Sequence, residues 1–210
     1  MAKVNEVKIS VEMGKTKIVP GLVQAALDEG NTAKELLQAM VDSMSVVGDK
    51  FSAGEIYVPE MLLAAKAMAK GVEVLKPHLT GDASASLGTC VIGTVAGDLH
   101  DIGKNLVGMM IESAGFDMVD LGVDVPASKW VEAIKENGNV TLVACSGLLT
   151  TTMPALKEAV QTIKESGLTG FKIIVGGAPV TQAYANEIGA DGYAGDAGSA
   201  AIKAKELVNV

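Results

Sequence analysis

The stretch "TCVIGTVAGDLHDIGKNLVGMM", residues 89–110, decides the fold. It opens as a near-continuous apolar run, passes through a short polar segment carrying a histidine between two aspartates, and ends in apolar residues spaced for a helix. An apolar run without alternation is the pattern of a strand covered on both faces. The switch to helical period places a βα loop at residues 97–104. The same alternation continues downstream in "FDMVDLG", "ASKWVEAIKENG", "VTLVACSG", "MPALKEAVQTIKESG", "FKIIVGG", "TQAYANEIG", "ADGYAG" and "GSAAIKAKELV". Strands and helices in strict turn predict a doubly wound, five-stranded parallel sheet of Rossmann-like or flavodoxin-like type over residues 90–210. Ligands of such sheets sit outside the carboxyl ends of the strands, which singles out the loops at residues 97–104, 146–152 and 176–181.

The residues before this stretch read differently. "LVQAALDEG" ends at Gly30, a helix stop. "NTAKELLQAMVDSMSVVGDKF" begins with Thr32 and Glu35 in capping-box spacing, and Leu36, Met40, Met44 and Val47 form one apolar stripe. "EMLLAAKAMAKGVEVLKP" carries a second stripe of Met61, Leu62, Ala65, Met68, Val72 and Leu75, and Pro77 ends it. Residues 1–80 therefore read as a small bundle of about four helices, with only a short tail before residue 20. The methionines are expected in its core, with Met44, Val47, Met61 and Leu62 also candidates to touch a ligand. The small, polar stretch at residues 81–89 reads as the linker between the halves.

Composition excludes several function classes. The formal net charge is −8, which argues against a nucleic-acid partner. No apolar run reaches membrane-spanning length, and the N-terminal "MAKVNEVKISVEMGK" lacks the apolar segment of a secretory signal, so a cytoplasmic protein without a membrane partner is expected. Cys90 and Cys145, the two cysteines, sit in strand-like runs and read as buried thiols. Trp130 reads as a packing residue and His78, beside Pro77, as a surface residue at a helix end.

The three loops hold little that could build a site alone. The first offers Asp98, His100, Asp101 and Gly103, the second Ser146 and three threonines, the third Gly176 and Gly177. There is no lysine of the phosphate-loop type, and no second histidine or cysteine completes a zinc site. One imidazole with a carboxylate two residues before it suits a metal held mainly by something else, such as a macrocycle. The imidazole supplies one axial ligand, and the carboxylate fixes its tautomer. Gly103 leaves room below a flat ligand.

Asp98-Leu-His100-Asp-Ile-Gly103 resembles the D-x-H-x-x-G signature of cobalamin-binding domains. Then come 42 intervening residues before Ser146-Gly-Leu148, similar to that family's S-x-L element, and 27 more before Gly176-Gly177, similar to its G-G element. "GEIYVPEMLLAAKAM" and "VEVLKP" resemble the helical cap of corrinoid methyl-carrier proteins, and the likeness extends to the cobalamin-binding region of methionine synthase. The resemblance implies cobalamin bound base-off, with His100 as the lower axial cobalt ligand. It implies that Asp98 accepts the other ring N–H of His100, and that Ser146 hydrogen-bonds Asp98; these three form the catalytic set. Asp101, Ile102 and Gly103 would flank the corrin, Asp101 as a solvated first-turn carboxylate. Ser146, Leu148, Thr150, Gly176 and Gly177 would line the pocket for the nucleotide tail, and the helical half would cover the upper corrin face.

The implied function is a methyl carrier. It would shuttle a methyl group on cobalt between a substrate-demethylating methyltransferase and a second one loading tetrahydrofolate or a thiol, with a reductive activator as a further partner. Such a carrier is a methyl-carrying subunit rather than a complete enzyme. The alternatives are a cobalamin-sensing regulatory module, which usually adds a DNA-binding part, and the small subunit of a cobalamin-dependent mutase, which lacks the helical half. A flavodoxin-like flavin module leaves the Asp98–His100 pair unexplained. No residue selects among methoxylated aromatics, methylamines, methanol and betaines as the methyl donor.

Overall fold

The computed structural model describes residues 2–79 and 86–208. They fall into two compact units, one helical and one α/β. Of the expected linker at residues 81–89, residues 81–85 lie outside the described residues, and Thr89 already belongs to the first strand.

The helical unit contains α1 (Ala2–Glu12), α2 (Val19–Asp28), α3 (Ala33–Ser52) and α4 (Val58–Leu75), followed by a 3-10 turn at Lys76–His78. The region before residue 20 is thus no tail. Val7 and Val11 of α1 are fully buried, and the helix packs on α2 and α3. Thr32 starts α3 as its spacing predicts: its hydroxyl accepts the Glu35 N–H at 3.2 Å, and the Glu35 carboxylate accepts the Thr32 N–H at 3.0 Å. These bonds satisfy two backbone donors that a helix start leaves open. Leu36, Met40, Met44, Val47, Met61, Met68 and Leu75 are all buried, so the two apolar stripes are the core of this unit, whereas Leu62 and Val72 are only half-buried. His78 is exposed, as expected of a helix-end residue.

The α/β unit runs β1 (Thr89–Thr94), α5 (Ile102–Ser113), β2 (Asp117–Asp120), α6 (Ala127–Glu136), β3 (Val140–Ser146), α7 (Met153–Glu165), β4 (Lys172–Gly176), α8 (Gln182–Ile188), β5 (Gly192–Ala194) and α9 (Ala197–Leu207). The strands pair in parallel in the order β2-β1-β3-β4-β5. The expected doubly wound sheet is therefore present. Its connections reverse direction between β1 and β3, the switch point where such sheets open a crevice. Side chains alternate across the sheet. Val91, Val95, Val143, Cys145, Ile173 and Val175 share one face with Trp130, Leu156, Val160 and Ile163. Ile92, Leu142, Ala144 and Ile174 are buried on the other face. Trp130 is fully buried and lies over Gly93, as a packing residue should, although its indole N–H finds no acceptor among the described residues. Both cysteines are buried free thiols.

Register positions the site. Thr94 lies opposite Ser146, Ser146 opposite Gly176, and Gly176 opposite Ala194. The ends of β1, β3 and β4 thus form one row, and the three singled-out loops leave it side by side.

Candidate functional site

Beyond β1 the chain turns at Gly97 and brings Asp98 under the loops, where it has no solvent exposure. Every lone-pair direction of its carboxylate is used. Oδ1 accepts the His100 backbone N–H at 3.1 Å and faces His100 Nδ1 at 2.7 Å. Oδ2 accepts the Leu148 N–H at 2.7 Å, the Leu149 N–H at 3.3 Å and the Thr152 hydroxyl at 3.0 Å. Burial pushes the Asp98 carboxyl up, but the Leu148 N–H, the His100 ring and backbone N–H groups and the Thr152 hydroxyl outweigh it and hold the group at about 2. Asp98 is therefore ionised at neutral pH.

An ionised acceptor on Nδ1 fixes the imidazole. Nδ1 carries the proton, and the Nε2 lone pair is left for an electrophile. The His100 side chain is half-exposed, and among the described residues Nε2 has no hydrogen-bond partner. The Thr94 hydroxyl donates to the His100 carbonyl at 2.9 Å and ties the loop to the strand end. Leu99 and Ile102, beside His100 in the chain, are 72% and 78% exposed, and Leu148 and Leu149, whose amides bond Asp98, are exposed as well. A Cβ added to Gly103 would meet no atom within 4 Å, so the space beside it is open. Exposed apolar side chains on the loops that also present a pre-oriented nitrogen mark a candidate ligand seat. Among the described residues no group of three or more His, Cys, Asp and Glu could hold a metal ion. A metal at Nε2 would need its other donors from a bound group, and a single free imidazole nitrogen fits a macrocycle that carries its own metal.

The remaining predicted residues divide. Asp101 is exposed, and its carbonyl accepts the Asn105 N–H at the start of α5. Gly176 and Gly177 have a packing reason of their own. The Gly147 N–H donates to the Gly176 carbonyl at 3.1 Å, and at Gly177, with φ +131°, a Cβ would overlap the Gly147 carbonyl oxygen. The glycine pair lets the β4–α8 loop lie directly on the β3–α7 loop. Thr150 opens the 3-10 turn Thr150–Thr152 and is exposed.

Ser146 is a correction. It does not hydrogen-bond Asp98; Thr152 does. The strand pleat is the reason. Val143 and Cys145 face the α6–α7 layer, and Thr152 lies at the start of α7, whereas the pleat turns Ser146 to the opposite face. Thr152 immediately precedes the Met153-Pro154 start of α7. A threonine just before a helix-opening proline is the sequence signal that could have marked it.

A family model described as a B12 binding domain matches residues 88–202, which hold β1, β5 and everything between them. The chain belongs to the B12-binding family. A second model, also described as a B12 binding domain, matches residues 4–76, and the cofactor of this B12-binding protein is cobalamin. The chain is 42% identical over 196 residues to dimethylamine corrinoid protein 1 of Methanosarcina acetivorans, covering 92% of both chains. It is similar to the crystal structure of a novel cobalamin-binding protein from Desulfitobacterium hafniense, with a TM-score of 0.84, 30% identity and 99% of both chains covered. It is also similar to the methanol:cobalamin methyltransferase complex MtaBC of Methanosarcina barkeri, with a TM-score of 0.82 at 30% identity, over 99% of this chain and 80% of that one. These matches make it a corrinoid protein of the kind found in methyltransferase systems.

Proposed function

We propose that the protein carries a methyl group on the cobalt of cobalamin bound base-off, with His100 as the lower axial ligand. The observation that carries the reading is the buried, ionised Asp98, which holds Nδ1 of a half-exposed imidazole and leaves Nε2 as its free nitrogen, on loops that also carry exposed leucines and an exposed isoleucine. The bound corrinoid supplies the cobalt that accepts and releases the methyl group. His100 supplies the axial nitrogen. Asp98, bonded to Nδ1, would keep the ring in one tautomer with Nε2 as the free nitrogen. The amides of Leu148 and Leu149 and the Thr152 hydroxyl hold Asp98 in place. Leu99 and Ile102, both exposed, would supply apolar contact to the corrin and exclude water from it. Leu148, Thr150, Ser146, Gly176 and Gly177, at the ends of β3 and β4 and on the loops that leave them, would line the pocket for the nucleotide tail.

Partners on this reading are a demethylating methyltransferase, an acceptor methyltransferase for tetrahydrofolate or a thiol, and a reductive activator. The protein is their methyl-carrying subunit, working in the cytoplasm, where two free thiols persist. The donor is a methylated amine, a choice supported by the names of relatives such as dimethylamine corrinoid protein 1. The test is transfer to cobalamin-loaded protein from dimethylamine, methanol and a methoxylated aromatic, each with its own demethylating enzyme. Methylation only in the amine arm supports the reading; methylation only in another arm moves the donor class, and none in any arm refutes the carrier role.

A further inference from the structure

The β2–α6 connection was not singled out by any motif, yet it touches the cofactor loop at two points through one residue. Asp124 has φ 53°, in the left-handed region that few non-glycine residues occupy. In that conformation its backbone N–H donates to the Asp98 carbonyl at 3.0 Å, while its Oδ1 accepts the Gly97 N–H at 2.7 Å. Gly97 has φ +80°, so it is the hinge at which the chain leaves β1 to reach Asp98. The Asp98 N–H is itself bonded to the Val95 carbonyl at 3.1 Å. Both peptide groups flanking the Gly97–Asp98 junction are thus fixed, and Asp124 supplies both bonds that come from outside the loop.

We infer that Asp124 is a positioning residue for cobalt ligation: through Gly97 and Asp98 it holds the loop that presents His100. This rests on His100 being the axial ligand. An aspartate suits the place because its short side chain tolerates the left-handed region and its charge strengthens the hydrogen bond to Gly97. The connection does not need this carboxylate to fold. The Thr94 N–H donates to the Gly122 carbonyl and the Val125 N–H to the Thr94 carbonyl, both at 2.9 Å, and the Asp120 carboxylate accepts the Gly122 N–H and pairs with the buried Lys104 ammonium.

Two variants separate backbone from carboxylate. Asp124→Gly keeps the left-handed conformation and deletes the acceptor; Asp124→Asn keeps the conformation and the acceptor oxygen. In the cofactor-free full chain, amide exchange at Gly97 is expected to be about tenfold faster in Asp124→Gly, the equivalent of one charge-assisted hydrogen bond lost, and near wild type in Asp124→Asn. After loading with cobalamin and reduction to cobalt(II), electron paramagnetic resonance is expected to show a smaller histidine-ligated share in Asp124→Gly and recovery in Asp124→Asn. Unchanged Gly97 exchange in Asp124→Gly overturns the proposal, and so does a histidine-ligated share equal to wild type. A wild-type protein with no histidine-ligated share refutes axial ligation instead, and Gly97 exchange then reports the clamp alone.

Discussion

Replacing Asp98 by Asn removes one charge and forces a mismatch. The carboxylate accepts from donors on both sides: the two His100 N–H groups at Oδ1, and the Leu148 and Leu149 amides with the Thr152 hydroxyl at Oδ2. An amide must turn its NH2 toward one of these sets, and donor then faces donor. The size of the effect follows from linkage. A carboxyl lowered from 3.8 to about 2 on folding contributes about 2 kcal/mol, at about 1.4 kcal/mol per tenfold change in proton affinity. Because the folded value is the depressed one, this stability is fully present above the unfolded value. It fades as pH falls toward 2, reaching about half by pH 3. The assay is urea unfolding of the cofactor-free protein followed by tryptophan fluorescence. Trp130 is the sole tryptophan and is buried in the α/β unit, so the signal reports that unit. Asp98→Asn should unfold at least about 2 kcal/mol more easily than wild type at pH 7, with the gap about 1 kcal/mol smaller at pH 3. A variant as stable as wild type at pH 7, or a gap that does not change with pH, refutes the account of Asp98 as a buried, fully bonded anion.

Other expectations concern the packing. Gly177→Ala places a Cβ into the Gly147 carbonyl oxygen at a positive φ, so it should cost several kcal/mol, more than about 3, in the same unfolding assay. Burial pushes the Cys90 and Cys145 thiols well above their ordinary range. Neither should react with a thiol reagent at pH 8 until the α/β unit unfolds, and prompt labelling of the native protein contradicts their placement. Trp130→Phe removes a buried N–H that has no acceptor among the described residues and should cost less than about 1 kcal/mol, whereas Trp130→Ala should cost about 3–5 kcal/mol. Equal losses for the two would show that the indole nitrogen is bonded after all.

The sheet was legible because β1, β3 and β4 are buried and read as near-unbroken apolar runs, and the short strands β2 and β5 follow from the alternation with the helical stretches. The helical core was legible from Leu36, Met40, Met44 and Val47, whose spacing keeps one side inward. Helix α1 was not, because "AKVNEVKISVE" interleaves its valines and isoleucine with charged residues and carries no cap signal. At the site, Asp98 and His100 are two residues apart, and their pairing is local enough to read. The partners of Asp98 are not local: Leu148, Leu149 and Thr152 reach it only because β1 and β3 are neighbours in register. Ser146 was assigned by motif where the pleat decides. It is out of step with Val143 and Cys145 along the strand, which puts it on the other face. Asp124 escaped notice because its role depends on a left-handed backbone and on a loop 27 residues earlier in the chain.

The central claim, that His100 Nε2 takes the lower axial position on cobalt, is tested most directly by electron paramagnetic resonance of the cobalamin-loaded protein in its cobalt(II) form. One sample would carry nitrogen-15 in its histidines, and a second only in the tail base of the corrinoid. The splitting from a single axial nitrogen should change its pattern in the first sample, stay unchanged in the second, and vanish in His100→Ala. A splitting that follows the tail-base label and survives His100→Ala would contradict the account.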